Sequence, residues 1–123
     1  MKLIDDLFTI LDNDAVNNRI KIRINANHDV FKAHFPGNPI VPGVLQIQMI
    51  TDLLEARFKR HLYMNEIRNI KFITVLIPNS EEELSFQLNK LEKYESGVKA
   101  TVQIVASDKL YSKISLSFQF DCL

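Results

Sequence analysis

The spacing of apolar side chains changes several times along the chain, and each change marks an element. Residues 2–11 (KLIDDLFTIL) carry apolar side chains at 3, 4, 7, 8 and 11, a helical spacing that predicts a short amphipathic helix. Residues 19–26 (RIKIRINA) alternate, with Ile20, Ile22 and Ile24 on one face and Lys21, Arg23 and Asn25 on the other, which predicts a half-buried strand. From Val44 to about His61 the period becomes helical again. Leu45, Ile47, Ile50, Leu53, Leu54 and Phe58 fill a wide arc, so this helix is expected to be buried on more than one side. Four strand-like segments follow: 66–77 (ending at Pro78), 83–91, 97–106 and 110–120. Their joins carry turn residues, Asn79-Ser80, Ser96-Gly97 and Ser107-Asp108, and short joins imply antiparallel neighbours.

Between the first strand and the long helix the periodicity stops. Residues 34–43 (HFPGNPIVPG) hold Pro36, Pro39 and Pro42, three of the four prolines in the chain, together with Gly37 and Gly43. Proline fixes its own φ and restricts the residue before it, so a stiff, extended loop is expected, leading into a helix that begins at Pro42-Gly43. One long apolar helix and five or six antiparallel strands make an α+β domain, a sheet curled round a helix.

Composition narrows the function classes. The length of 123 residues suits one domain. Fifteen basic and fifteen acidic side chains cancel, so nothing favours nucleic acid. Cys122 is the single cysteine, and the chain needs no oxidising compartment for an internal disulfide. The start of the chain has acids at Asp5 and Asp6 and no long apolar run, unlike a secretory signal, and no stretch approaches the ~20 apolar residues of a membrane span. A cytoplasmic protein is the expectation. The three histidines lack metal-site spacing, and no phosphate-binding glycine motif occurs, so neither metal nor nucleotide cofactor is expected.

Residues 28–48 read HDVFKAHFPGNPIVPGVLQIQ, and the run H-F-P-G-x-P-I-x-P-G-V-L within them resembles the signature of the bacterial 3-hydroxyacyl-acyl-carrier-protein dehydratases. Ile70-Lys71-Phe72 is similar to that family's segment after the helix, and 106–118 to its last hairpin. The resemblance implies a hotdog fold, a long central helix wrapped by an antiparallel sheet, and a dimer with active sites at the subunit interface. It places the active-site histidine on His34 and the backbone donor to the thioester oxygen on Gly43. Phe31, Phe35, Pro36, Gly37, Ile40 and Val44 are candidates for the acyl-binding surface, with Ile50 a further one; for Phe31, Phe35, Ile40 and Ile50 ordinary core is the competing reading. The family's helix carboxylate falls fourteen residues after the histidine, where this chain has Gln48. Ala33 replaces the glycine usual before the histidine, a mild change where φ is negative.

Dehydration of a 3-hydroxyacyl thioester needs a base at C2, a donor to the thioester oxygen and an acid for the departing hydroxyl. Imidazole titrates near neutral pH, so His34 suits the base. An N–H at the start of a helix, as at Gly43, suits the donor. Gln48 can hydrogen-bond but cannot act as the acid. Three readings stay open: His34 serves both steps while Gln48 orients the hydroxyl; Asp52, His28 or Asp29 supplies the proton; or the reaction is lost or shared with a homologous subunit. Asp52 reads otherwise as solvated or ion-paired, Glu55 as surface, His28 as a hydrogen-bonding loop residue and His61 as lying near the exposed helix end. Arg57, Lys59, Arg60, Arg68 and Lys71, against Glu66 alone, form a basic stretch that reads either as a solvated helix end or as a docking patch for an acidic carrier protein; Arg57, Lys59 and Arg60 are the docking candidates. The competing functions are a non-catalytic acyl- or carrier-protein-binding subunit and a thioesterase.

Overall fold

The structure, a computed structural model, describes residues 3–33 and 37–121. Six strands form one antiparallel sheet: β1 (Phe8–Asp14), β2 (Arg19–Ile24), β3 (Leu62–Phe72), β4 (Glu83–Lys93), β5 (Gly97–Ala106) and β6 (Lys109–Phe120). Their spatial order is β1-β2-β4-β5-β6-β3. A short helix α1 (Asp29–Ala33) and the long helix α2 (Gly43–Phe58) lie between β2 and β3 in sequence.

The alternation in β5 sorts the sheet's two faces. Val98, Ala100, Val102, Ile104 and Ala106 are buried, and the residues between them are partly exposed. Ile20, Ile22 and Ile24 of β2, Leu84, Phe86 and Leu88 of β4 and Ile114, Leu116 and Phe118 of β6 are buried likewise. They share one core with Met49, Ile50, Leu53 and Leu54 of α2. Each such Val, Leu, Ile, Phe or Met side chain removed from water stabilises the fold by about 1.5–3 kcal/mol.

Residues 3–11 of the segment expected as a helix are not one. A turn over 5–7, in which Leu7 N–H bonds to Leu3 O at 2.8 Å and Asp5 takes a left-handed φ of 67°, gives way to β1 at Phe8. β1 pairs with β2 from Phe8↔Ile24 to Asp14↔Arg19, with a bulge between Ile10 and Asp12. Pairing with β2 satisfies the backbone groups that face it, and here it overrides the local helical spacing.

The segment expected as a strand over 66–77 is also displaced: β3 starts at Leu62 and ends at Phe72. Residues 73–77 instead run as a strap. Ile73 and Thr74 N–H both bond to Tyr111 O (2.8 and 3.1 Å), and Leu76 O accepts the Val41 N–H at 2.7 Å. Burial, with a hydrogen bond to Glu82, raises the pKa of the Tyr111 phenol beneath this strap. The strap also corrects the expectation of a hairpin at Asn79-Ser80, because β3 pairs with β6 and β4 lies between β2 and β5. The joins at 96–97 and 107–108 are antiparallel turns as expected.

β3 is an edge strand, and most of it is exposed. Met64, Ile67 and Phe72 pair in register with Phe118, Leu116 and Ser112, all buried, yet remain 43%, 49% and 54% exposed themselves. Ile73, Val75 and Ile77 extend this exposed apolar set.

Candidate active site at the start of the long helix

His34, Phe35 and Pro36 lie outside the described residues, as does Cys122. His28 Nδ1 accepts the Val30 N–H at 3.0 Å at the start of α1, and its Nε2 lies 3.1 Å from Asp6 Oδ2. His28 thus serves the local fold as read. Phe31 sits in the core, and Ala33 ends α1 in helical backbone, so the alanine there meets no positive-φ demand. Beyond the undescribed residues, Gly37 has φ +83°, a conformation that suits glycine.

Val41 is then pinned from two sides. Its N–H bonds to Leu76 O, and its carbonyl accepts the Gln46 Nε2 at 3.0 Å. Gln46 is buried and its Oε1 accepts the Ser112 hydroxyl at 2.8 Å, so a polar chain links β6, α2 and the proline loop. Pro42 is the helix N-cap in extended backbone, and its carbonyl accepts the Leu45 and Gln46 N–H groups. The Gly43 and Val44 N–H groups ahead of them have no carbonyl a turn earlier to bond, and the helix dipole is positive there.

A cleft of about 270 Å³ opens at this helix start, lined by Ile40, Pro42, Gly43, Phe72, Val75 and Leu76 among others. Gly43 permits a close approach, since a Cβ there would overlap the Phe72 ring as it lies. Of the expected acyl-chain residues, Ile40 lines this cleft, Val44 is exposed, and Phe31 and Ile50 are core residues.

Gln48 is half-buried on α2, and its Nε2 donates to Asp52 Oδ1 at 2.8 Å. Asp52 is neither solvated nor ion-paired among the described residues. It is 2% exposed, and its Oδ2 accepts the Leu3 N–H at 2.5 Å. Glu55 is not a free surface residue either: its Oε2 accepts the Leu62 N–H at 2.8 Å and lies 2.9 Å from His61 Nδ1. His61 itself is exposed beside the helix end. The buried polar residues Gln46 and Asp52 were the hardest to read. Gln46 carried one faint signal, an amide inside a wide apolar arc.

The basic candidates differ in their surroundings. Arg57 is tied down, its Nη2 donating to Ala15 O at 3.1 Å and Asn18 Oδ1 at 2.7 Å. Lys59 is exposed, and it terminates α2 in the left-handed region (φ 54°) with its N–H on Glu55 O. Arg60 lies over the Phe120 ring at 3.9 Å and is exposed. Among the described residues no helix is long and apolar enough to cross a membrane, and no group of three His, Cys, Asp or Glu is placed to hold a metal.

A family model described as ApeI dehydratase matches residues 11–113. The 3-hydroxyacyl-acyl-carrier-protein dehydratase FabZ of Enterococcus faecalis is 30% identical over 122 residues, covering 94% of this chain and 82% of that one. In structure, the chain is similar to the dehydratase heterocomplex ApeI:P from Xenorhabdus doucetiae, with TM-score 0.67 and 18% identity over 90% of this chain and 96% of that one. A thioesterase from Pseudomonas aeruginosa gives TM-score 0.64 and 10% identity, over 94% and 82% of the two chains.

Proposed function

The chain belongs to the ApeI-like dehydratase family, with the hotdog fold, and on that premise we propose that it removes water from a 3-hydroxyacyl thioester carried on acyl carrier protein. The observation that carries this reading is the start of α2. Gly43 stands there at the head of a cleft, its backbone positioned by the pinned Val41, as the last residue of the H-F-P-G-x-P-I-x-P-G run. In this reading the Gly43 N–H donates to the thioester oxygen, where the helix dipole and a fixed N–H favour developing negative charge. His34 takes the C2 proton, the electron pair forms the C2=C3 bond, and the C3–O bond breaks. The same imidazole returns the proton to the departing oxygen, which leaves as water, while Gln48 orients the hydroxyl. The substrate needs no metal or redox cofactor for this step.

Pairing with a second subunit, of the same chain or a homologous one, is part of the reading. It is supported by the unpaired β3 edge and its exposed Met64, Ile67 and Phe72, an apolar set of the kind that marks an interface. Lys59 and Arg60 are the proposed contacts for an acidic carrier protein. A cytoplasmic setting follows from a carrier-protein substrate.

A second reading, a non-catalytic acyl-binding subunit that relies on a partner's carboxylate, is favoured by Gln48. One experiment separates the two. The purified chain is incubated with a 3-hydroxyacyl carrier protein and loss of water is followed by mass spectrometry, beside His34→Ala. Turnover that disappears in His34→Ala supports the dehydratase. No turnover across several chain lengths supports the binding subunit, and released free acid would mean a thioesterase.

A further inference from the structure

The face of the sheet turned away from the core carries a polar row that crosses four strands. Lys90 of β4 stands opposite Thr101 of β5, Thr101 opposite Ser115 of β6, and Ser115 opposite Asn69 of β3. Beside this row the register slips in both flanking strands, between Leu88 and Lys90 in β4 and between Ile67 and Asn69 in β3. Such bulges re-aim side chains, and in β3 the extra residue is Arg68. The result is a cleft of about 270 Å³ in which Arg68, Lys90 and Lys99, from three different strands, surround Thr101 and Ser115.

The charge of this cleft is unbalanced. Three cations stand against Glu92, the one carboxylate among the lining residues, which leaves an excess of two positive charges. Their ion pairs are loose: Lys90 lies 3.7 Å from Glu92 and Arg68 lies 3.8 Å from Glu66, all four side chains being exposed, so a stronger anion can take both cations over. One row further on, Lys71 of β3 stands opposite Lys113 of β6. Like charges directly opposite each other repel, and an anion on this face relieves them. Thr101 Oγ1 and Ser115 Oγ lie 3.0 Å apart and share one hydrogen, which leaves the other hydroxyl hydrogen for an acceptor in the cleft. A second cleft, of about 260 Å³, shares Lys99 with the first and is lined by Asn65, Ser96, Ser117 and Gln119 among others. Those are neutral hydrogen-bonding groups, suited to hydroxyls rather than to a hydrocarbon chain.

We propose that this outer face of the sheet binds a soluble phosphorylated molecule, with the phosphate among Arg68, Lys90 and Lys99 and a hydroxylated remainder along the second cleft. A phosphate monoester carries nearly two negative charges at neutral pH, which matches the excess. The planar fork of Arg68 suits two phosphate oxygens, and the lysines supply point charges. The site shares no residue with the cleft at the start of α2, and the inference does not rest on the dehydratase reading.

Inorganic phosphate and glucose 6-phosphate, titrated separately into the full chain at low salt and followed by calorimetry, test it. Both are expected to saturate at one molecule per chain, glucose 6-phosphate the tighter, while glucose itself does not bind. Arg68→Ala and Lys90→Ala should each weaken glucose 6-phosphate about tenfold or more, the loss of one charge-assisted hydrogen bond. Lys109→Ala removes an exposed charge outside the cleft and should leave the affinity unchanged. Nitrogen-15 NMR of the parent chain gives a check free of any variant: amide shifts on adding glucose 6-phosphate should cluster at Arg68, Asn69, Thr101 and Ser115. No saturable binding of either probe, shifts that cluster elsewhere, or an equal loss in Lys109→Ala overturns the site. Phosphate bound as tightly as glucose 6-phosphate overturns the role of the second cleft. Capture by vesicles containing phosphatidic acid, without binding of glucose 6-phosphate, overturns the soluble ligand in favour of a lipid headgroup.

Discussion

The ring of Phe72, at the end of β3, rests against the backbone of Gly43 at the start of α2, with no room between them for a methyl group. Phe72 is 54% exposed, so its ring can swing away. Gly43→Ala is therefore expected to lower stability by about 1 kcal/mol, the low end of overpacking effects. Phe72→Ala should remove that penalty. A double-mutant cycle by chemical denaturation checks this, and additive effects would contradict the contact.

Gln48→Glu places a second carboxyl where an amide now lies 2.8 Å from Asp52. Two carboxyls that close hold one proton between them, so the pKa of the introduced group is raised. A raised folded-state value means the folded chain binds more protons than the unfolded one. Stability is then retained below the carboxyl's unfolded value, about 4.3, and lost as pH rises through the raised value. The melting-temperature gap between parent and variant should widen from about pH 5 to about pH 8. A dehydratase with this substitution should work best at the acid end, where the carboxyl can give a proton. A gap independent of pH would place the two side chains apart in solution.

Arg57 and Arg60 should separate in their effects. Arg57 holds the 15–18 turn through Ala15 O and Asn18 Oδ1, so Arg57→Ala is expected to cost about 1–3 kcal/mol of stability and to leave carrier-protein binding nearly unchanged. Arg60→Glu combined with Lys59→Glu should weaken binding about fivefold or more at low salt, with little change in melting. Titration calorimetry and thermal denaturation read the two quantities. Binding lost in Arg57→Ala at full stability would put Arg57 into the docking surface.

Ile67 points to the buried face of the sheet yet is about half exposed. If a second subunit covers it, Ile67→Asp buries an unpaired charge and breaks the assembly. Sedimentation should show a monomer with unchanged circular dichroism, and turnover should fall with dissociation. A variant that sediments like the parent would move the interface elsewhere.

The parts of this fold legible in the sequence are those in which one residue's environment follows from its near neighbours. Val98 to Ala106 alternate because one face of β5 packs on the core, and Gly43 begins α2 because Pro42 sets the backbone before it. Where a distant segment decides, the reading failed. Leu3, Leu7 and Phe8 carry helical spacing, but a turn precedes Phe8 and β2 supplies a strand partner from Phe8 on, and Ile73, Val75 and Ile77 look like sheet but follow the strap under Val41. Asp52 and Glu55 read as surface acids because their partners, the N–H groups of Leu3 and Leu62, are backbone atoms that no side-chain pattern reveals. The proline loop was legible for a different reason. Its chemistry is written in residue types that fix φ and need no partner.

The sheet order also sets a timetable for synthesis. β3 has no neighbour until β6 is made, while β4, β5 and the β1–β2 hairpin can join one another first. A ribosome therefore exposes Leu62–Phe72, with its apolar Met64, Ile67 and Phe72, for the whole interval in which the next three strands are translated. Such long-range closure is slow and leaves an edge open to wrong partners. Substitutions that weaken β6 should show first as insoluble product, before any loss of activity in the fraction that folds.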